Sequence, residues 1–198
     1  MLSLDRRYQI VALEVLETVL LALFIFFATR LVMQNFRVQG PSMHPNLISN
    51  ELVLVSKLSY INSSPKRGDV VVFRKPGGDS EDLVKRIVGM PGETIEMRTG
   101  RVFVNGLEIE ETGYVDRLGT AVVPPVRIPA GSYFVLGDNR SVSEDSRRFG
   151  AVPLAAIVGK VWVIYWPFAK FGFFPEHSPT LMPAPVRSLG PAEDRLAA

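Results

Sequence analysis

The sequence predicts a mainly β fold: an antiparallel β-sheet domain preceded by one N-terminal transmembrane helix. Three observations predict it. Residues 10–27 (IVALEVLETVLLALFIFF) are almost uninterruptedly apolar and contain no turn residue. Past Arg37 the helical period gives way to short runs rich in Val and Ile, separated by Gly, Pro and Asn. Finally, Asn105-Gly106 stands between two such runs, and both residues adopt positive φ cheaply, as a two-residue hairpin requires.

The apolar run comes first along the chain. With residues 28–33 it supplies the ~20 mostly apolar residues that cross a bilayer as a helix. Residues 10–33 are therefore expected to be an anchor, with residues 1–9 a short cytoplasmic segment. Glu14, Glu17 and Thr18 interrupt only the first part of the run, where carboxylates lie at headgroup level or face a protein partner. An amphipathic helix of a soluble domain does not fit, because residues 19–28 have no polar face. A cleavable secretory leader fits poorly too, since a cut after Ala28 places Phe26 where a small residue is needed. Arg6 and Arg7 precede the run and Arg30 and Arg37 follow it, so charge alone does not orient it.

Residues 34–174 are expected to form the β-rich domain. The stretches 51–57 (ELVLVSK), 69–74 (DVVVFR) and 83–88 (LVKRIV) read as strands because β-branched residues dominate them. Residues 101–104 and 107–110 flank the hairpin turn, and 132–136 and 157–165 add two further strands. Such spacing argues for packed antiparallel sheets. The proline-rich stretch 175–198 reads as a tail outside the fold, without chemistry of its own.

Composition narrows the chemistry. A net charge of +2 with scattered basic residues leaves no footprint for nucleic acid. The absence of cysteine excludes thiol nucleophiles, disulfides and cysteine metal sites. His44 and His177, the only histidines, are far apart in sequence and do not make a multi-histidine centre. No metal and no cofactor is expected, so hydroxyls, carboxylates and amines must do the work.

One hydroxyl stands out. In Gly40-Pro41-Ser42-Met43-His44-Pro45 two prolines bracket Ser42 and stiffen its turn, while Gly40 permits close backbone approach. A serine in a turn is also an ordinary surface feature. To act as a nucleophile it needs a base. His44 lies on the same stiff loop, with no orienting carboxylate evident beside it. Lys85 is the other choice. Strand alternation puts it on one face with Leu83 and Ile87, and Arg86 on the other with Val84 and Val88. Buried there, its amine loses its charge more readily and serves as a general base; exposed at a sheet edge, it is only a solvated lysine.

Five ordered segments resemble the sequence boxes of bacterial type I signal peptidases. They are the N-terminal anchor, residues 40–47 (GPSMHPNL), 50–57 (NELVLVSK), 66–93 (KRGDVVVFRKPGGDSEDLVKRIVGMPGE) and 135–153 (VLGDNRSVSEDSRRFGAVP). The resemblance covers most of the chain between Phe36 and Trp166. Its KRIVGMPGE and GDNRxxSxDSR runs, taken with the Ser-Met doublet, make it specific.

The resemblance implies Ser42 as nucleophile, Lys85 as general base and the Ser42 backbone N–H as one oxyanion donor. Some family members carry at the position of Gly40 a serine whose hydroxyl also holds the oxyanion; Gly40 lacks it, so a water or another backbone group must substitute. Ser143 matches a serine that hydrogen-bonds the lysine, Asp145 a carboxylate paired with an arginine such as Arg147, and Asp138 a partner for Arg86. Phe36, Val38, Met43, Leu47, Leu83 and Val84 match residues lining shallow apolar pockets for small side chains.

The implied partners are signal peptides of exported preproteins and the lipid bilayer, with the enzyme working near the protein export channel. The implied place is the bacterial plasma membrane, single-pass, with the domain on the extracytoplasmic side. Trp162, Trp166, Phe168, Phe171, Phe173 and Phe174 read either as core or as a surface dipping into the membrane interface. Two competing readings share parts of this pattern. A self-cleaving repressor has a Ser-Lys pair but carries a DNA-binding domain instead of an anchor. A catalytically silent, membrane-tethered module that binds exported chains shares the whole architecture.

Overall fold

The computed structural model describes residues 2–77 and 81–182. The stretches 78–80 and 183–198, which fall within the expected 66–93 box and the expected tail, lie outside the described residues. The chain opens with α1 (Leu2–Val32), of which Arg6–Phe27 is long and apolar enough to cross a bilayer and is not buried against the rest of the protein. At 1.5 Å per residue those 22 residues span about 33 Å, matching a hydrocarbon core of about 30 Å.

Among the described residues twelve strands follow, all antiparallel where they pair. The larger sheet contains β1 (Met33–Arg37), β2 (Leu52–Ser56), β3 (Val70–Arg74), β4 (Asp82–Gly89), β9 (Ser132–Leu136), β10 (Val152–Pro153) and β11 (Ile157–Trp166), in the order β1-β2-β11-β3-β4-β9-β10; β12 (Gly172–Phe173) pairs with β11. The smaller sheet is β5 (Thr94–Arg98), β6 (Arg101–Val104), β7 (Leu107–Glu108) and β8 (Val123–Arg127), in the order β7-β6-β5-β8. The only other α-helix among the described residues is the single turn α2 (Ser146–Phe149), whose N-terminus Asp145 caps through its side chain.

The Asn105-Gly106 turn joins β6 to β7 with φ of 51° and 82°. Strand β8 carries Pro124 and Pro125, which is tolerated because β8 is an edge strand and proline there removes no interior ladder bond. β1 starts immediately at the end of α1 and pairs along its length with β2, from Met33 opposite Ser56 to Arg37 opposite Leu52. Helix α1 thus ends at Val32, where ladder bonds to β2 take over from helix bonds.

Three apolar clusters hold the domain. The first packs Val38, Met43 and Leu47 of the Ser42 loop against Val53, Val55, Val70, Val72 and Val161. The second joins the two sheets through Val88, Ile95, Met97, Val104, Ile128 and Leu136, and the third covers the opposite face of the large sheet with Phe73, Ile87, Tyr133 and Val152. Phe174 belongs to the first cluster, whereas Trp162, Trp166, Phe168, Phe171 and Phe173 are exposed. The aromatic group therefore divides, with one ring in the core and five on the surface. Residues 175–182, expected to lie outside the fold, run along the domain and bond to it: Glu110 N donates to Thr180 O at 2.9 Å and Met182 N to Glu108 O at 2.7 Å.

Candidate active site

Ser42 sits in a short turn that crosses the sheet just after β1. Gly40 has φ +77°, a left-handed conformation open to glycine, and its missing side chain leaves free space. The turn is closed by His44 N donating to Pro41 O (3.1 Å) and Leu47 N to Met43 O (2.9 Å). From the other side, Asn139 N donates to the Ser42 carbonyl at 3.0 Å. The approach is close: a Cβ on Gly137 would fall 2.5 Å from Ser42 O and 2.2 Å from Ser143 Oγ, so only glycine fits there.

Lys85 projects from β4, held between β3 and, from Arg86 onward, β9. Its side chain is 2% exposed, and Nζ donates to Ser42 Oγ at 2.8 Å and to Val84 O at 2.9 Å. Burial lowers its pKa to about 8, against the opposing pull of Asp145, Glu81, Glu144 and Asp138. A neutral amine is therefore within easy reach near pH 8. It touches the one hydroxyl that a rigid turn presents, which is the arrangement a serine nucleophile and its base require.

The pair lies in a cleft of about 610 Å³, bordered by residues 35–42 on one wall and 81–85 on the other. Consecutive residues line both walls, so strand edges rather than strand faces form the cleft. Among the described residues β1 pairs only with β2, and β9 covers β4 only from Arg86 onward, which leaves both bordering edges without a strand partner there. Phe36, Val38, Leu83 and Val84 line this cleft.

Met43 and Leu47 do not. Both are fully buried in the first core cluster and present no surface to the cleft, because the Ser42 turn points them inward as its own foundation. Ser143 also departs from expectation. Its hydroxyl is buried, packs on Gly137 and makes no hydrogen bond, so the expected bond to Lys85 is absent; Val84 O occupies that role. His44 is exposed and faces a different cavity with Asp116, Arg117 and Asn139.

The charged residues behind the pair form two buried ion pairs on one network. Arg86 holds Asp138 through both ends, Nε to Oδ1 at 2.8 Å and Nη2 to Oδ2 at 2.7 Å, and also donates to Gly68 O at 2.8 Å. Asp138 Oδ2 accepts a second bond from Asn46 Nδ2 at 2.7 Å, and Asn46 donates in turn to Tyr114 O at 2.8 Å. The Arg86 guanidinium lies 4.2 Å from the Tyr114 ring centroid.

Tyr114 continues the network by donating to Glu111 at 2.7 Å; Glu111 pairs with Arg140, whose Nε reaches Gly137 O at 3.1 Å. Burial, then the neighbouring Glu111 carboxylate, push the Tyr114 phenol up, so it remains a donor. Asp145 accepts from Gly137 N at 3.0 Å and from Arg147 Nε at 2.8 Å, the pairing expected for these two. Asn46, Glu111, Tyr114 and Arg140 were not among the residues the sequence singled out. Asn46 and Arg140 do stand inside the quoted 40–47 and 135–153 segments, which was the signal available for them; Glu111 and Tyr114 lie outside every such segment.

The chain is similar to several known proteins. A family model described as "Signal peptidase, peptidase S26" matches residues 12–166. A signal peptidase I of Bacillus caldolyticus is 41% identical over 155 residues, covering 72% of this chain and 84% of its own length. A signal peptidase I of Leptolyngbya laminosa is 34% identical over 168 residues, covering 81% of this chain and 82% of its own. A signal peptidase IB of Staphylococcus aureus (strain MRSA252) is 35% identical over 173 residues, covering 78% and 90%. A solved signal peptidase I from Enterococcus faecalis V583 aligns at 31% identity over 50% of this chain and 97% of its own, with a TM-score of 0.40. On the extent of the family match and the identity of these relatives, the chain belongs to the signal peptidase family, peptidase S26.

Proposed function

We propose that this protein is a membrane-anchored serine endopeptidase that removes signal peptides from exported preproteins through a Ser42–Lys85 dyad. The observation that carries the reading is the buried Lys85 amine, 2.8 Å from Ser42 Oγ at the floor of an open cleft. The neutral amine takes the Ser42 proton as Oγ attacks the scissile carbonyl. The same proton then passes to the leaving amine of the mature protein, and water, activated by Lys85, releases the signal peptide from the acyl-enzyme. The Ser42 N–H is the proposed oxyanion donor. Gly40 offers only backbone, so the second donor is a water or another main-chain group.

The substrate lies extended in the cleft, adding a strand between the free edges of β1 and β4. Main-chain bonds tolerate varied sequences, while the apolar walls at Phe36, Val38, Leu83 and Val84 select small side chains by excluding larger ones. Cleavage therefore falls after small-x-small sequences. Helix α1 is the single membrane anchor, with the domain on the extracytoplasmic side of the plasma membrane, near the export channel. The exposed aromatic rings of β11, β12 and the turn between them rest at the lipid interface, which favours such side chains.

The test is cleavage of a detergent-solubilised preprotein by the full-length enzyme, beside Ser42→Ala and Lys85→Ala. One cut after a small-x-small site, abolished in both variants, is the expected result. A folded wild-type protein that cuts nothing would make it a tethered binding module instead.

A further inference from the structure

Residues 174–182 follow the last strand of the large sheet and run behind the site, away from the cleft. Phe174 enters the core, and Phe174 N donates to Trp162 O at 2.8 Å. Glu176 pairs with Lys160 at 2.6 Å, and Lys160 also meets Asp69 at 2.8 Å. Beyond His177, the backbone bonds at Thr180 and Met182 and the bridge between Leu181 and Ile109 fasten the segment to the edge of the small sheet. The segment is thus tied at both ends, to the large sheet before His177 and to the small sheet after it.

His177, at its middle, is seated with unusual closeness. A Cβ on Gly68 would fall 1.7 Å from the His177 carbonyl oxygen, and one on Gly113 would fall 3.3 Å from Cδ2 of its ring. Two glycines therefore make the slot that admits this residue. The imidazole packs on Tyr114 with ring centroids 5.9 Å apart, and its Nδ1 is buried without a hydrogen-bond partner. What the histidine contributes here is a flat ring, not a polar bond.

Tyr114 connects this contact to the reacting groups. The Arg86 guanidinium stacks on the same ring, and Arg86 is the chain neighbour of Lys85 on β4. Tyr114 O also receives Asn46, whose amide holds Asp138; the adjacent Asn139 N–H binds the Ser42 carbonyl. Gly68, against which the His177 backbone rests, gives its carbonyl to Arg86. Two contacts from His177 thus converge on Arg86, one through an aromatic ring and one through Gly68.

We infer that residues 174–182 form a strap that holds Ser42 and Lys85 in register from behind, with His177 as its positioning residue. The inference rests on the dyad proposed above. It separates from substrate binding, because none of the cleft-lining residues belongs to the strap. Loosening the strap misaligns the reacting atoms and leaves the cleft intact. A displacement of about 1 Å between nucleophile and base costs up to 100-fold in rate, and a single lost ring contact should cost about tenfold.

The experiment measures kcat and KM separately for the full chain in detergent micelles, using a preprotein substrate, with acyl-enzyme burst amplitude counting competent molecules. His177→Ala is expected to lower kcat per competent site about tenfold with KM within twofold of wild type. His177→Phe, which keeps a flat ring and lacks the unpartnered nitrogen, is expected to restore kcat. A kcat within twofold of wild type in His177→Ala, a loss carried by KM, or failure of phenylalanine to improve on alanine would each overturn the strap's role. Ser42→Ala in the same assay separates the two ideas: if wild type turns over and Ser42→Ala does also, the dyad falls and the strap's role with it. If only Ser42→Ala is dead, the His177 variants decide the strap alone.

Discussion

In the proposed mechanism Lys85 is made reactive at a cost to the fold. Burial lowers its pKa from 10.5 to about 8 although four carboxylates pull it upward, so desolvation is the larger effect. As the general base must be neutral, kcat/KM should rise with pH, level off above about 8 and fall tenfold per unit well below it. A rate indifferent to pH between 6 and 9 would exclude the amine as base. The same shift bears on stability. Between about 8 and 10.5 the unfolded chain binds this proton and the folded one does not, so stability rises with pH across that window and its penalty is fully present below it. The magnitude is about 3 kcal/mol at 1.36 kcal/mol per unit. Lys85→Met, lacking the amine, should therefore lead wild type in urea melts near pH 7.5 and lose about that much of its lead by pH 10.5. A constant gap would mean the amine is not depressed. Ser143 poses the reverse problem, since a buried hydroxyl without a partner costs about 1–3 kcal/mol. We expect it to swing onto Lys85 as the reaction proceeds: Ser143→Ala should lower kcat several-fold while raising the melting midpoint. A higher midpoint with unchanged kcat would leave the hydroxyl no part in the chemistry.

At the scale of elements, β11 determines both what the sheet buries and what it shows. Its register shifts between Val161 and Val163 and again between Ile164 and Trp166, and those bulges accompany the outward turn of Trp162 and Trp166. Trp162 packs against Phe173 and Trp166 against Phe168, with centroids 5.5 Å and 5.0 Å apart, so the exposed rings form a surface rather than isolated residues. Replacing Trp162, Phe168, Phe171 and Phe173 by serine, leaving core Phe174 in place, should lower turnover of a membrane-embedded preprotein about tenfold and leave that of a short soluble peptide unchanged. Equal losses on both substrates would make the surface a packing feature. Strands rich in β-branched or aromatic residues (β2, β3, β4, β9 and β11) were legible in the sequence because they combine strong propensity with burial. β1 was hidden because it begins where an apolar helix ends, and β8 because two prolines mask a strand that only its edge position allows. The strap had no periodicity to read, as its structure comes from the surface on which it lies. In the site, Ser42, Lys85, Arg86, Asp138, Asp145 and Arg147 stand in recognisable local motifs. The role of Asn46 was not legible because its partners Tyr114 and Asp138 are 68 and 92 positions away. Met43 and Leu47 were misplaced because a sequence motif gives proximity to a serine but not depth beneath it.

The whole molecule is joined at the Arg86–Asp138 pair, where the Ser42 turn, β4, the 111–114 loop and the 137–147 segment meet. Both side chains are fully buried, so neither relaxes into water when its partner is removed. Taking away one charge of such a pair typically costs about 3–5 kcal/mol, a large part of the 5–15 kcal/mol that holds a domain folded. Asp138→Asn is near-isosteric and keeps one acceptor, so it should fall at the lower end, about 3 kcal/mol. Arg86→Met should cost more, because it also removes the bond to Gly68 O and the stacking on Tyr114. The double variant is the informative one. If the pair acts as a unit, removing both charges relieves the orphan that each single change leaves, and the double loss falls short of the sum of the singles by about 1–3 kcal/mol. Catalysis should not recover with stability, because the double variant still lacks the link that ties β4 to the Ser42 turn. Urea melts and kcat measured on the four proteins of this cycle therefore give two separate readings. Non-additive stability with a kcat in the double variant no higher than in the singles is expected; additive losses of stability would show that the two residues, although 2.7 Å apart, support the fold independently.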